Sequence, residues 1–293
     1  MFLFSMKRSI TFFNLAALIT ALLSLPSQSG QMFNALLESK RANEQMVVET
    51  QNAPLSEEEA AAKLPDLGIS LHPGTDFESD DPKPTTTSLN HCKSLVYKTL
   101  QSLPSGHSKN LKSLTLYFSD TGRRGLGGGS TIILRCQNVT DEELIGVLVH
   151  EMGHVVDTGS LQGSSDSGIS NYVDGQNPVY NDDPSAEFYS YTFKNENTQN
   201  DNATETDFVS GYAQTDVFED FAESYAYYVL HGNEFRELAY SNAVLASKYD
   251  FLKNKVFNGK EYFTGDDTKE VDLLARNYDV TILPYDMRKF LAI

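Results

Sequence analysis

The chain has 293 residues, 40% of them hydrophobic and 22% charged, with a formal net charge of −17. These proportions belong to a globular chain with room for a substantial core, and they exclude a disordered or fibrous one. The acidic excess is the opposite of a nucleic-acid binder's basic footprint, so no nucleic-acid partner is expected.

Residues 1–29 read as a signal peptide. Lys7 and Arg8 make a short basic start, Ile10 to Leu25 an apolar run, and Ser27 and Ser29 the small residues before a cut near Gly30. The run is shorter than the roughly 20 residues a spanning helix needs, and it carries Asn14. A secreted or cell-surface protein is expected, touching a membrane only if this segment stays uncleaved. Residues 30–88 read as a linker or propeptide. Met32–Lys40 and Ser56–Leu64 form short helices there, the second with Ser56 and Glu59 as a capping box. The stretch from His72 to Ser88 is rich in Pro, Asp and Thr, like a linker.

Residues 89–293 form the main domain. Leu89, Cys92, Val96, Leu100 and Leu103 recur at helical spacing, with Ser88 as a cap. Leu114, Leu116 and Phe118 alternate as in a half-buried strand. A glycine-rich turn from Thr121 to Gly129 leads into a second strand, Ser130–Cys136. Thr140 and Glu143 form another capping box, at the start of a helix that is apolar at Leu144, Val147, Leu148, Met152 and Val155. Residues 158–215 read as long loops with one helix near Pro184–Phe193, and helices dominate from Asp216 to about Phe257. Strands first and helices after give an α+β fold. Cys92 and Cys136 are the two cysteines, and in an oxidising compartment a disulfide between them would close a stabilising loop. The alternative is two buried thiols.

The helix from Thr140 carries the chemistry. His150 and His154 are four apart, so their imidazoles project from one face. Zinc takes such nitrogens at about 2.0–2.1 Å, and a catalytic site needs a third protein ligand and a water. Glu151 lies beside the metal and can take a proton from that water, which is the mechanics of H-E-x-x-H. Gly153 costs helix stability, roughly 1 kcal/mol against Ala, and lets another segment approach. A third histidine six residues past the second would mark a metzincin, but Ser160 stands there, and Asp157 is poorly placed to ligate. Asp216, Glu219, Asp220 and Glu223 are a better source. Asp216 and Glu219 cap a helix starting near Val217, and one carboxylate can ligate while another holds a histidine ring.

"HEMGHVVD" followed by "SGYAQTDVFEDFAES" resembles the anthrax lethal factor group of gluzincins, which includes the secreted Pro-Pro endopeptidases. In that group a Glu is the third zinc ligand, with a Tyr seven residues before it and a second Glu four after. Tyr212, Glu219 and Glu223 stand at those intervals. The resemblance covers about sixty residues in two blocks. It implies a zincin-like metallopeptidase domain with a small sheet and a mainly helical C-terminal half. It further implies Zn2+ held by His150, His154 and Glu219, Glu151 as general base, Tyr212 on the oxyanion and Glu223 orienting His150.

The expected activity is hydrolysis of a protein or peptide substrate by a zinc-activated water, in a monomeric endopeptidase. The rivals are a zinc-containing surface binding or adhesion module that does no catalysis, and a toxin-like effector that shares the chemistry but cuts one host protein. Gly127–Arg135 reads either as an edge strand along which a peptide pairs or as a turn feeding a buried strand. His72, His91, His107 and His231 lack paired spacing, Arg123 and Arg124 read as a solvated turn, and Asn138 and Asn202 match glycosylation sequons.

Overall fold

The computed structural model describes residues 55–74, 84–120, 122–265 and 277–291. The expected signal peptide and the first expected helix, Met32–Lys40, lie outside them. The described residues all belong to one unit spanning Leu55–Ile293.

In chain order the elements are α1 (Glu57–Lys63), β1 (Ser70–Gly74), α2 (Thr86–Ser102), α3 (Ser105–Ser108), β2 (Ser113–Tyr117), β3 (Gly125–Gly128), β4 (Thr131–Arg135) and α4 (Asp141–Ser160). After them come β5 (Ile169–Asp174), β6 (Asn177–Tyr180), α5 (Pro184–Ser190), β7 (Phe193–Asn195), β8 (Thr198–Gln199), α6 (Val217–Leu230), α7 (Gly232–Ser241), α8 (Ala243–Phe251) and α9 (Met287–Leu291). The α+β class is as expected, with small sheets followed by a mainly helical C-terminal half. The main sheet has the order β1-β2-β4-β3, with β1, β2 and β4 parallel and β3 antiparallel on the edge.

The caps behave largely as the sequence indicates. Ser56 and Glu59 close a reciprocal capping box on α1. Thr140 accepts from Glu143 N at 3.1 Å to start α4, but the Glu143 side chain pairs with Arg124 instead of closing the box; Asp216 accepts from Phe218 N and Glu219 N to start α6. On α2 the cap is Thr85 rather than Ser88, because the Thr85 hydroxyl reaches Ser88 N at 3.1 Å and the helix gains an earlier turn.

Part of the stretch read as linker or propeptide is packed structure. Strand β1 pairs with β2 from Ser70 to Gly74, and Leu64 and Ile69 belong to the hydrophobic core. The glycine-rich turn holds strand β3, and the 158–215 loops hold two hairpins, β5–β6 and β7–β8. Glycine has little strand propensity and shows no alternation, so β3 left no pattern to read. Cys92 on α2 and Cys136 after β4 form a disulfide. Among the described residues, no helix is long and apolar enough to cross a membrane.

The central packing is α4 against α6. A β-carbon on Gly153 would come within 2.8 Å of Ala222 Cα and 3.2 Å of Tyr225 Cβ, so the missing side chain is what lets the two helices close. That approach sets the distance between the histidines of α4 and the acids of α6.

Candidate metal centre

His150 and His154 leave α4 one turn apart, with ring centroids 5.0 Å from each other. Glu219, in the first turn of α6, places Oε2 at 3.2 Å from His150 Nε2 and 3.4 Å from His154 Nε2. That oxygen is buried, and beyond these two imidazoles nothing donates to it. A buried carboxylate oxygen without a donor is costly unless something positive completes it. Ligands about 2.0–2.2 Å from a tetrahedral zinc are about 3.3–3.6 Å apart. The two observed separations are close to that edge length, as expected if Glu219 Oε2 shares one zinc ion with each imidazole. Glu151 shares the neighbourhood: one ligand atom from each of His150, Glu151 and His154 lies within 4.8 Å of the others. Glu219 is the closer carboxylate to both rings.

Glu223 lies behind His150. Its Oε1 is 2.8 Å from His150 Nδ1, so that nitrogen donates to Glu223 and Nε2 is the one left to face Glu219. Its Oε2 accepts from Ser210 Oγ at 2.5 Å and from the backbone N–H of Val280 at 2.9 Å. The carboxylate is thus fully buried and fully occupied.

Tyr212 precedes α6 in a short 3-10 turn. Its hydroxyl donates to Glu219 Oε1 at 2.8 Å, its ring stacks on His150 at 6.0 Å, and its backbone N–H donates to Tyr278 O at 2.6 Å.

The field at this point favours positive charge. Burial drives the Glu219 carboxyl up, but His150 and His154 outweigh it and hold the group well below the usual carboxylate range. Burial likewise opposes charge on His150, and Glu219 and Glu223 reverse that and push its pKa well up. Glu151 is raised by burial, with both histidines pulling the other way. Tyr212 is raised by burial and then by the charge of Glu219.

These groups line a cleft of about 610 Å³ between β3 and α6, a size suited to holding part of a ligand. Arg123, Leu126, Asp174, Phe218, Tyr278 and Thr281 also face it. Arg124 is not a solvated turn residue. It donates to Thr281 Oγ1 at 2.8 Å and pairs with Asp279 and Glu143. Of the four acids at the start of α6, Asp220 is elsewhere, paired in the core with Lys248 at 2.6 Å. Asp157 also points away, accepting from Tyr189 Oη at 2.8 and 2.7 Å. His107 and His231 are buried, and His91 bridges Glu57 and Asp141.

The structure therefore brings His150, Glu151, His154, Tyr212, Glu219 and Glu223 to one place. Sequence reasoning missed Ser210 and the 277–281 segment. Ser210, two residues ahead of Tyr212, carried a weak signal. The N–H of Val280 carried none, because a backbone donor looks the same in every sequence.

Residues 137–279 match a family model described as "Putative zinc-binding metallo-peptidase". No curated protein and no solved structure matches the chain. The matched span, just under half of the chain, contains His150, Glu151, His154, Ser210, Tyr212, Glu219 and Glu223, and leaves out Arg123, Arg124 and Leu126 of the cleft along with Val280 and Thr281. Over that span the chain is similar to a zinc metallopeptidase, and zinc is the cofactor that both the match and the ligand geometry support.

Proposed function

We propose that this protein is a secreted or cell-surface zinc endopeptidase of the gluzincin type, in the lethal factor and Pro-Pro endopeptidase group, acting as a monomer on protein or peptide substrates. The observation that carries the reading is the convergence of the buried Glu219 Oε2 with the two histidine Nε2 atoms, at 3.2 and 3.4 Å. His150, His154 and Glu219 would hold the ion. Zinc, when bound, supplies a Lewis acid and a water of lowered pKa.

The remaining steps belong to the protein. Glu151 takes a proton from the attacking water and returns it to the departing amine, and its burial-raised pKa suits a group that must both accept and give. Tyr212 releases Glu219 Oε1 and donates its hydroxyl to the oxyanion as charge develops there. Glu223 keeps His150 in one tautomer throughout. An extended peptide adds to β3, whose outer edge is unpaired among the described strands, with Leu126, Phe218 and Tyr278 offering apolar contact.

The test is digestion of a peptide library by the full chain loaded with zinc, read by mass spectrometry beside Glu151→Gln. Wild type should cleave, and the variant should be slower by roughly 10²–10⁴-fold with its zinc retained. Equal rates would remove Glu151 as the general base, and no cleavage by either with zinc bound in both would favour the non-catalytic binding module or an effector confined to one protein target.

A further inference from the structure

Strand β3 reads Gly125-Leu126-Gly127-Gly128. Alternate residues of a strand share a face, so Gly125 and Gly127 look one way and Leu126 the other. Leu126 is half exposed in the cleft, and the two glycines face α4. A β-carbon on Gly125 would overlap Glu151 Oε1, and would sit 2.8 Å from Glu151 Cδ and 2.6 Å from Val147 Cγ1. On Gly127 it would sit 2.6 Å from the backbone oxygen of Glu151 and 2.9 Å from Glu151 Oε2. Each carboxylate oxygen thus occupies the volume that a side chain on β3 would fill.

Conformation does not explain these two glycines. Positive φ in this stretch belongs to Gly128 and Gly129, so Gly125 and Gly127 hold backbone angles that other residues adopt. Glycine in a strand is destabilising by roughly 0.5–1 kcal/mol relative to Ala, and what remains to offset that is space.

We propose that Gly125 and Gly127 are positioning residues: they form a side-chain-free socket in the edge strand that fixes the carboxylate of Glu151. The socket deepens the peptidase reading and rests on it, because only a general base at Glu151 makes its placement matter to rate. The two positions differ in kind. The nearest atom at Gly125 is the carboxylate end of Glu151, which can swing aside, with the Val147 methyl next, so alanine there displaces the carboxylate and presses on α4 through one side chain only. At Gly127 the obstacle includes helix backbone, so alanine must also part β3 from α4.

The experiment uses the full chain with zinc and compares Gly125→Ala and Gly127→Ala with Gly106→Ala, a glycine whose β-carbon would meet nothing within 4 Å. Gly125→Ala should keep zinc and lose less thermal midpoint than Gly127→Ala while kcat falls about 10–100-fold with KM nearly unchanged, the loss typical of a catalytic group misplaced by about 1 Å. Gly127→Ala should lose both rate and thermal midpoint, and Gly106→Ala neither. In a Glu151→Gln background, Gly125→Ala should cost nothing further. The Glu151 side-chain carboxyl resonance in 13C-glutamate-labelled protein, assigned by its loss in Glu151→Gln, should shift in Gly125→Ala and stay put in Gly106→Ala. Wild-type kcat with an unmoved resonance in Gly125→Ala would overturn the socket, as would an equal loss in the Glu151→Gln background. If the wild type cleaves no peptide, the peptidase reading fails, and the resonance still decides whether the socket holds Glu151.

Discussion

Glu223 is the most constrained side chain of the metal centre: fully buried, with one oxygen on His150 and the other shared by Ser210 and Val280. Glu223→Gln keeps the shape but turns one end into a donor facing donors. Zinc affinity should drop by about 10–100-fold, read by competition with a chromophoric chelator. Unchanged affinity would mean that helix packing alone orients His150. Asp157 makes a different residue-scale prediction. Burial pushes its pKa up to about 7, against the hydroxyl of Tyr189, which donates to both oxygens. The folded protein therefore binds more protons at this site than the unfolded chain between about pH 4 and 7, and stability from this group is lost as pH rises through that window. Asp157→Asn should flatten the fall of thermal midpoint between pH 4 and 7. A slope identical to wild type would show that Asp157 titrates normally.

At the scale of elements, α4 is shaped by what lies against it. Gly146 admits the backbone of Thr281, whose oxygen would be 2.7 Å from a β-carbon there, and Gly153 admits α6. The caps of α1, α4 and α6 were legible because Ser, Thr and Asp at a helix start act within three residues. Strand β1 was not, because Ser70–Gly74 includes Pro73 and has no alternation, and only its pairing with β2 makes it a strand. A chain starting at residue 89 therefore loses β1, the Thr85 cap, and Leu64 and Ile69 from the core. Each such buried side chain is worth roughly 1.5–3 kcal/mol. The 89–293 chain should melt well below the full chain or fail to stay soluble, and a 55–293 chain should match the full one. Equal midpoints for all three would mean that β1 and α1 are dispensable.

Across the whole molecule, three long-range ties hold the centre's frame. The Cys92–Cys136 disulfide, 44 residues apart, joins α2 to the end of β4. Lys248 on α8 reaches the buried Asp220 of α6 at 2.7 and 2.6 Å. The 277–281 segment reaches Tyr212, Glu223 and Arg124 at once. Replacing Cys92 and Cys136 together by serine should cost about 3–4 kcal/mol, the loop-closure value for this span, read as a lower denaturation midpoint without loss of zinc. A midpoint equal to wild type would show that the packing around α2 and β4 suffices without the bond.

What the sequence determined by itself was local or periodic. The histidine pair and Glu151 fall on one helix face because 3.6 residues make a turn, and Asp216 starts α6 because its side chain accepts from the N–H groups of Phe218 and Glu219. The remaining members, Tyr212, Glu219 and Glu223, were named by the resemblance to the lethal factor group, whose intervals they match. Tertiary structure decided which acid faces the histidines, since Asp220 on the same helix goes to Lys248 instead. It also decided what stands behind and beside the centre: the N–H of Val280 on Glu223, and the bare face of β3 over Glu151. Those contacts are made by backbone and by empty volume. Neither has a side-chain signature, so both became visible only when distant segments packed together.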